Sequence, residues 1–248
     1  MVGRLRTAAE TLVEFEDAAD NRAMHRASFA PVLGLLLLAG LFRLSAPPAA
    51  VGAEPGVQAS GIHSADPPLP IVAIQPMGGV ESTLVAAVAQ HIEQTFAVDL
   101  ILLPAKPLPE AALYRPRMRF RGERVIGWLD AEKPAHVTAI LGLMSSDLSV
   151  TKGEIYDWGV MGVASPALAA GVVSTHRLGG RRVAAGLATQ RACQVAVHEM
   201  GHSFGLDHCR SPRCIMNDAR GSIGPVDRSS GKFCEPCRGQ LSGLLREE

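Results

Sequence analysis

Residues 181–204 read RRVAAGLATQRACQVAVHEMGHSF and run on into GLDHCRSPRCIM at 205–216. The first part is the longest uninterrupted helical candidate in the chain, and the rest of the fold has to present a surface for it to pack on. Within it, His198-Glu199-Met200-Gly201-His202 fits the pattern HExxH. Residues four apart lie on one face of a helix, about 6 Å apart along its axis, so both imidazoles can reach one zinc ion from the same side. A His pair at this spacing also fits a surface pair or a hydrogen-bonded core pair. The continuation decides between these readings, because the full run HEMGHSFGLDH matches HExxHxxGxxH. Gly205 can take the positive φ that ends a helix and turns the chain, bringing His208 back as a third nitrogen ligand. Three His ligands leave the fourth position of zinc open, as in catalytic sites. Zinc lowers the pKa of bound water to about 7. Glu199, beside the first ligand, is the candidate general base, and peptides are the expected substrate class.

Upstream, Ile71–Ile74 is a short apolar, β-branched run closed by proline and glycine, which predicts a strand. Leu84, Val85, Val88, Ile92 and Phe96 recur near helical spacing and predict a helix over 82–96. A strand at 98–103, a proline-rich loop at 104–116, a helix at 121–131 and a strand at 136–143 follow. Two more strands are expected at 156–164 and 171–175, ahead of the long helix. Strands alternating with helices indicate an α/β domain with a largely parallel sheet, beginning near Ile71.

With 47% hydrophobic and 19% charged residues and a net charge of zero, the chain has the composition of a globular protein and lacks a basic footprint for nucleic acid. A local run of Arg115, Arg117, Arg119, Arg121 and Arg124 suits either a grip on an anion or a solvated face. The N-terminal region reads separately. Arg22 and Arg26 precede an apolar run at 30–42, too short for the ~20 residues of a membrane span, and a small-residue segment follows. That order predicts a signal peptide ending near Ala53, with Met24 the more natural start, and hence export to the periplasm or outside the cell. A membrane anchor or a cytoplasmic chain is the alternative. Residues 54–70, rich in Ala, Pro and Gly, read as a linker.

Cys209, Cys214, Cys234 and Cys237 form two pairs beyond the long helix, in a segment too loop-rich to build a core unaided. Two such pairs suit a closed tetrahedral zinc site; two disulfides are the competing reading, which export would permit. Cys193 is left over and reads as a buried, apolar-like residue. Trp158, Arg177 and Arg182 are candidates for lining the cleft.

The run from His198 to Met216, then seventeen residues, then Cys234-Glu235-Pro236-Cys237, resembles the archaemetzincins, whose pattern is HExxHxxGxxHC, four residues, CxM, about seventeen residues and CxxC. The resemblance implies a metzincin-like α/β fold. Its parts would be a twisted, mostly parallel sheet with an antiparallel edge strand, packing helices, an HExxH-bearing helix and a zinc-bound C-terminal subdomain at 209–240. It implies two zinc ions per chain, one catalytic and one structural, and makes Met216 the apolar floor beneath the His ligands. An edge strand, placed by order along the chain at 159–164, would pair with a peptide or protein substrate. A monomer with no stable membrane span after processing is expected. The alternative from another class is a zinc- or peptide-binding module without turnover, and Glu199 argues against it, since a purely structural site has no use for an acid beside its ligand.

Overall fold

Strand β1, Ile71–Pro76, starts the fold, with its side chains alternating between two apolar layers. It appears in a computed structural model that describes residues 68–179 and 183–245. The N-terminal extension at 1–53, nearly all of the linker at 54–70, and Arg182 lie outside the described residues. No helix among the described residues is long and apolar enough to cross a membrane.

The chain continues through helix α1 (Ser82–Thr95), β2 (Asp99–Leu102), β3 (Leu113–Tyr114), β4 (Arg119–Arg121), α2 (Gly122–Glu132) and β5 (Ala139–Met144). Then come β6 (Leu148–Lys152), β7 (Ile155–Val160), β8 (Gly162–Ser165), β9 (Ala170–Ser174), α3 (Ala185–Ser203), α4 (Ile223–Arg228) and α5 (Glu235–Leu244). The main sheet has the order β2-β1-β5-β9-β8. Its first four strands are parallel, and β8 is an antiparallel edge. This is the expected mostly parallel sheet.

Period-two patterning divides the core. Val72, Ile74, Leu141, Leu143 and Val173 face α1 and α3, which contribute Val88, Ile92, Ala196 and Met200. Ala73, Ile140, Met144 and Val172 face α2 through Val125, Ile126 and Leu129. Every residue of β5 is buried, as expected for a central parallel strand covered on both faces. Each fully buried Leu or Ile here contributes about 1.5–3 kcal/mol. Gly142 is on the α2 side, where a Cβ would fall 2.6 Å from Met77 Cε and 2.8 Å from Leu129 Cδ1, so the missing side chain sets how closely α2 packs.

Three expectations need correction. The single strand expected over 156–164 is two, divided at the buried Met161: Val160 pairs with Leu148 in a second sheet, whereas Gly162 pairs with Val173 in the main one. The edge is therefore Gly162–Ser165, not 159–164. That second sheet, ordered β3-β4-β6-β7, was not expected. The long helix starts at Ala185, after an extended Ala184, and not at residue 181.

The arginine run divides between surface and interior. Arg115 and Arg117 are exposed, but Arg119 and Arg121 keep only 16% and 3% of their side-chain surface. Arg121 donates to the Tyr156 carbonyl and, at 2.7 Å, to Thr151 Oγ1, and its guanidinium lies over the Tyr156 ring. Arg119 bridges Asp147 at 2.8 Å and Asp157 at 2.7 Å. Arg177, which does not line the cleft, completes the network with two bonds to Asp147 at 2.7 and 2.9 Å. Arg121 thus ties together β4, β6, β7 and α2, while the Arg119–Asp147–Arg177 bonds join the second sheet to the segments that follow β5 and β9.

Burial pushes the Asp147 carboxyl up, but the bonds from Arg177 and Arg119 prevail and hold it below the usual carboxylate range. Its stabilising contribution is therefore complete above the unfolded value of about 3.9 and is lost as pH falls through the lower folded value. Replacing Asp147 by Asn should cost about 2 kcal/mol near neutrality, because the part-exposed Arg177 loses its carboxylate partner and the largely buried Arg119 keeps only Asp157. Urea unfolding at stepped pH checks this: the gap between D147N and wild type should narrow in acid, below about pH 4.

Candidate metal centre

Helix α3 carries His198 and His202 on one face, and the chain leaves it through Gly205, whose φ is +91°. The turn is closed by Leu206 N–H donating to the Gly201 carbonyl at 2.9 Å and Gly205 N–H to the His202 carbonyl at 2.9 Å. It returns His208 to the helical pair. Its ring centroid lies 4.6 Å from that of His202 and 5.3 Å from that of His198. The ligand nitrogens of all three lie within 4.8 Å of one another.

Backbone carbonyls set the tautomers. His198 Nδ1 lies 2.7 Å from the Ile215 carbonyl, and His202 Nδ1 lies 2.7 Å from the Leu206 carbonyl. A carbonyl only accepts, so each Nδ1 carries the proton and each Nε2 presents its lone pair. Those two Nε2 atoms are 3.1 Å apart. Two nitrogens each about 2.0–2.1 Å from one tetrahedral zinc would be roughly 3.3 Å apart, so the pair fits. Burial, followed by the neighbouring imidazoles, holds His198 down at about 4, in the neutral form that a ligand requires.

Glu199 is only 6% exposed, and among the described residues its carboxylate has no hydrogen-bond partner. Burial raises it to about 8. A dication on the adjacent histidines acts the other way and favours the ionised form. The carboxyl fits against β8 only because residue 162 is glycine. A Cβ there would fall 2.5 Å from Glu199 Oε1 and 2.8 Å from its Cδ. Met216 is fully buried under the helix, and a Cβ at Gly201 would fall 2.5 Å from its sulfur.

The four cysteines converge just past His208. Cys209 and Cys234 sulfurs are 3.7 Å apart and those of Cys214 and Cys237 3.8 Å apart, with all four within 4.8 Å. Thiolates about 2.3 Å from one tetrahedral zinc would be roughly 3.8 Å apart, which fits the donor set; a disulfide would need about 2.05 Å. Backbone N–H groups of Ser211 and Cys234 donate to the Cys209 and Cys214 sulfurs, each at 3.4 Å. Cys234 caps α5, and the Cys237 N–H is the main cause that lowers its thiol to about 7. Cys193 is buried on α3 as expected and is not one of the converging four.

Similarity to known proteins agrees with this geometry. The model of peptidase family M54 matches residues 130–243. An archaemetzincin of Aeropyrum pernix is 33% identical over 173 residues, covering 67% of this chain and 90% of that protein. The chain belongs to the archaemetzincin family. It is accordingly a zinc metallopeptidase by family, with a mixed α/β fold. An archaemetzincin of Pyrococcus furiosus is 26% identical, covering 71% of this chain and 94% of its own. The crystal structure of the Methanopyrus kandleri archaemetzincin superposes with a TM-score of 0.62 at 27% identity, covering 72% and 96% of the two chains. That of the Archaeoglobus fulgidus archaemetzincin, in complex with malonate, gives 0.58 at 28% identity, covering 68% and 99%.

In this archaemetzincin the three histidines and Glu199 line a cleft of about 440 Å3 between β8 and the segment after α3. Trp158 lines it, as expected, and packs on Gly221. Sequence reading missed α4, whose Pro225 and Val226 form part of the wall, and Gly162. The cap Ser222, which accepts from Gly224 N–H at 3.4 Å, is a legible signal for α4. Gly162 has no local signal, since only the tertiary contact with Glu199 explains it. Exchange of Cys234 for Ser should lower zinc content by one equivalent and lower the melting temperature, as read by metal analysis and calorimetry on reduced protein.

Proposed function

We propose that this archaemetzincin hydrolyses peptide bonds at the His198, His202 and His208 centre, with Glu199 as general base and with a second, structural zinc on Cys209, Cys214, Cys234 and Cys237. The observation that carries this is the pairing of three convergent imidazoles with a buried, unpaired carboxylate on the next residue of the same helix. Zinc held by the three histidines supplies Lewis acidity, which polarises a carbonyl and makes water acidic near neutral pH.

The chain's residues do the remaining work. The carbonyls of Ile215 and Leu206 orient His198 and His202, so little reorganisation is needed when ligands bind. Glu199 takes the proton of the attacking water and returns it to the leaving amine. Its position against β8 brings the base beside the sheet edge where an extended substrate would pair. The outer edge of β8 offers backbone groups for that pairing, as in strand addition. Met216 would form the apolar floor under the histidines.

Two variants test the roles. Glu199→Ala should retain the wild-type zinc content and lose at least about a hundredfold in kcat on a peptide substrate. Full activity in E199A would refute the general-base role. Gly162→Ala should also retain zinc while lowering kcat more than it raises KM, by about tenfold, because the added methyl displaces the Glu199 carboxyl. An unchanged kcat in G162A would separate the edge strand from the positioning of the base.

A further inference from the structure

One turn before His198, on the same face of α3, lies Gln194, a polar side chain that is 7% exposed and lines the cleft. Among the described residues its carboxamide has no hydrogen-bond partner. Its amide nitrogen and oxygen are not among the buried unpaired atoms, so they reach the cleft solvent and are free to pair with an occupant. The side chain extends toward the 229–231 turn, where a Cβ on Gly231 would fall 3.5 Å from its Nε2.

The surroundings form a pocket of defined chemistry. Val195, Ile215, Pro225 and Val226 supply apolar walls. Ser229 also lines it; its hydroxyl oxygen accepts from Gly231 N–H at 3.1 Å, which leaves the hydroxyl proton to donate. The nearest strong cation on the helix, Arg191, is neutralised by two 2.7 Å bonds to Asp227. The pocket therefore combines apolar walls with a neutral end that offers an amide donor, an amide acceptor and a hydroxyl donor.

We propose that Gln194 is a specificity-determining residue of this cleft. It selects a substrate residue whose side chain has an apolar stem and a neutral end that both donates and accepts hydrogen bonds, glutamine above all. This rests on the peptidase reading above. An aliphatic occupant would seal the Gln194 amide from water without pairing it, and a site so built discriminates against the analogue that lacks the bond.

The test uses the full chain loaded with zinc and peptide sets in which each position flanking the scissile bond is in turn Gln, Asn, Leu, Met, Lys or Glu. At one position the wild type should favour Gln over Leu by about tenfold in kcat/KM. Gln194→Leu should reverse that order, and the isosteric Gln194→Glu should shift the preference toward Lys. Zinc content and melting temperature establish that each variant is folded. A folded, zinc-loaded Q194L with the wild-type ranking at every position overturns the inference and leaves the peptidase reading intact. A wild type that ranks Leu at or above Gln throughout overturns it as well, whatever the variants do. If the wild type cleaves no peptide, the peptidase reading fails, and the pocket is read by calorimetric titration of the same peptides. A Gln-over-Leu affinity ratio that is lost in Q194L then supports the inference, and equal affinities overturn it.

Discussion

His208 lies outside α3, so the nitrogen donor set closes only if the chain reverses after the helix and is held there. Two constraints accomplish this. Gly205 takes a φ of +91°, which a residue with a side chain adopts only with strain. Cys209, directly after His208, then donates its N–H to the Met216 carbonyl at 2.8 Å, and Asn217 Nδ2 donates back to the Cys209 carbonyl at 3.0 Å. The same reversed segment supplies both carbonyls, from Leu206 and Ile215, that orient His202 and His198. The loop that brings the third ligand thus also sets the tautomers of the first two. Leu206, Ile215, Met216 and Phe233 anchor this segment in the core, and the four converging cysteines lie directly beside it.

The legible parts of the molecule are those in which function is local in sequence. Both donor sets, the helix that bears the first two histidines, and the alternation of strands and helices in the main sheet follow from spacing and periodicity, because each depends on residues within a few turns of one another. The second sheet is different. Its strands are short, β3 having two residues and β4 three, and β4 is filled with arginines that composition assigns to solvent. Only the carboxylates of Asp147 and Asp157, remote in sequence, allow Arg119 to be buried. The division at Met161 was hidden for a related reason. Residues 156–164 read as one continuous strand candidate, and nothing local in the sequence marks Met161 as the place where the chain passes from one sheet to the other. What requires the glycines on either side is contact with distant residues. A Cβ at Gly159 would overlap the Arg177 guanidinium, as one at Gly162 would overlap Glu199.

Electrostatics in the cleft follow from the same packing. Burial shifts two neighbouring residues of one helical turn in opposite directions, His198 down and Glu199 up, each toward its neutral form. The first makes the imidazole a ligand; the second keeps a strong base from forming unless positive charge is placed beside it. Asp218, near His208, is pulled below its usual range despite its burial, chiefly by the Arg220 N–H that donates to it at 2.8 Å. It remains an anion at the rim of the cleft.

One face of α3 carries a succession of tasks. Arg191, Gln194, His198 and His202 recur at helical spacing, while Ala192, Ala196, Val197 and Met200 point into the core. Arg191 spans three elements: it grips Asp227 of α4 with both nitrogens and donates to the Leu178 carbonyl at 2.9 Å. Because α4 has only six residues and no fully buried side chain, its own packing cannot fix its place. The ion pair does so, and with it the distance between Val226 and Gln194 across the cleft. Gln194, His198 and His202 are thus carried by one helix, and Val226 is tied to that helix by the Arg191–Asp227 pair; of the three histidines, His208 alone comes from the loop beyond it.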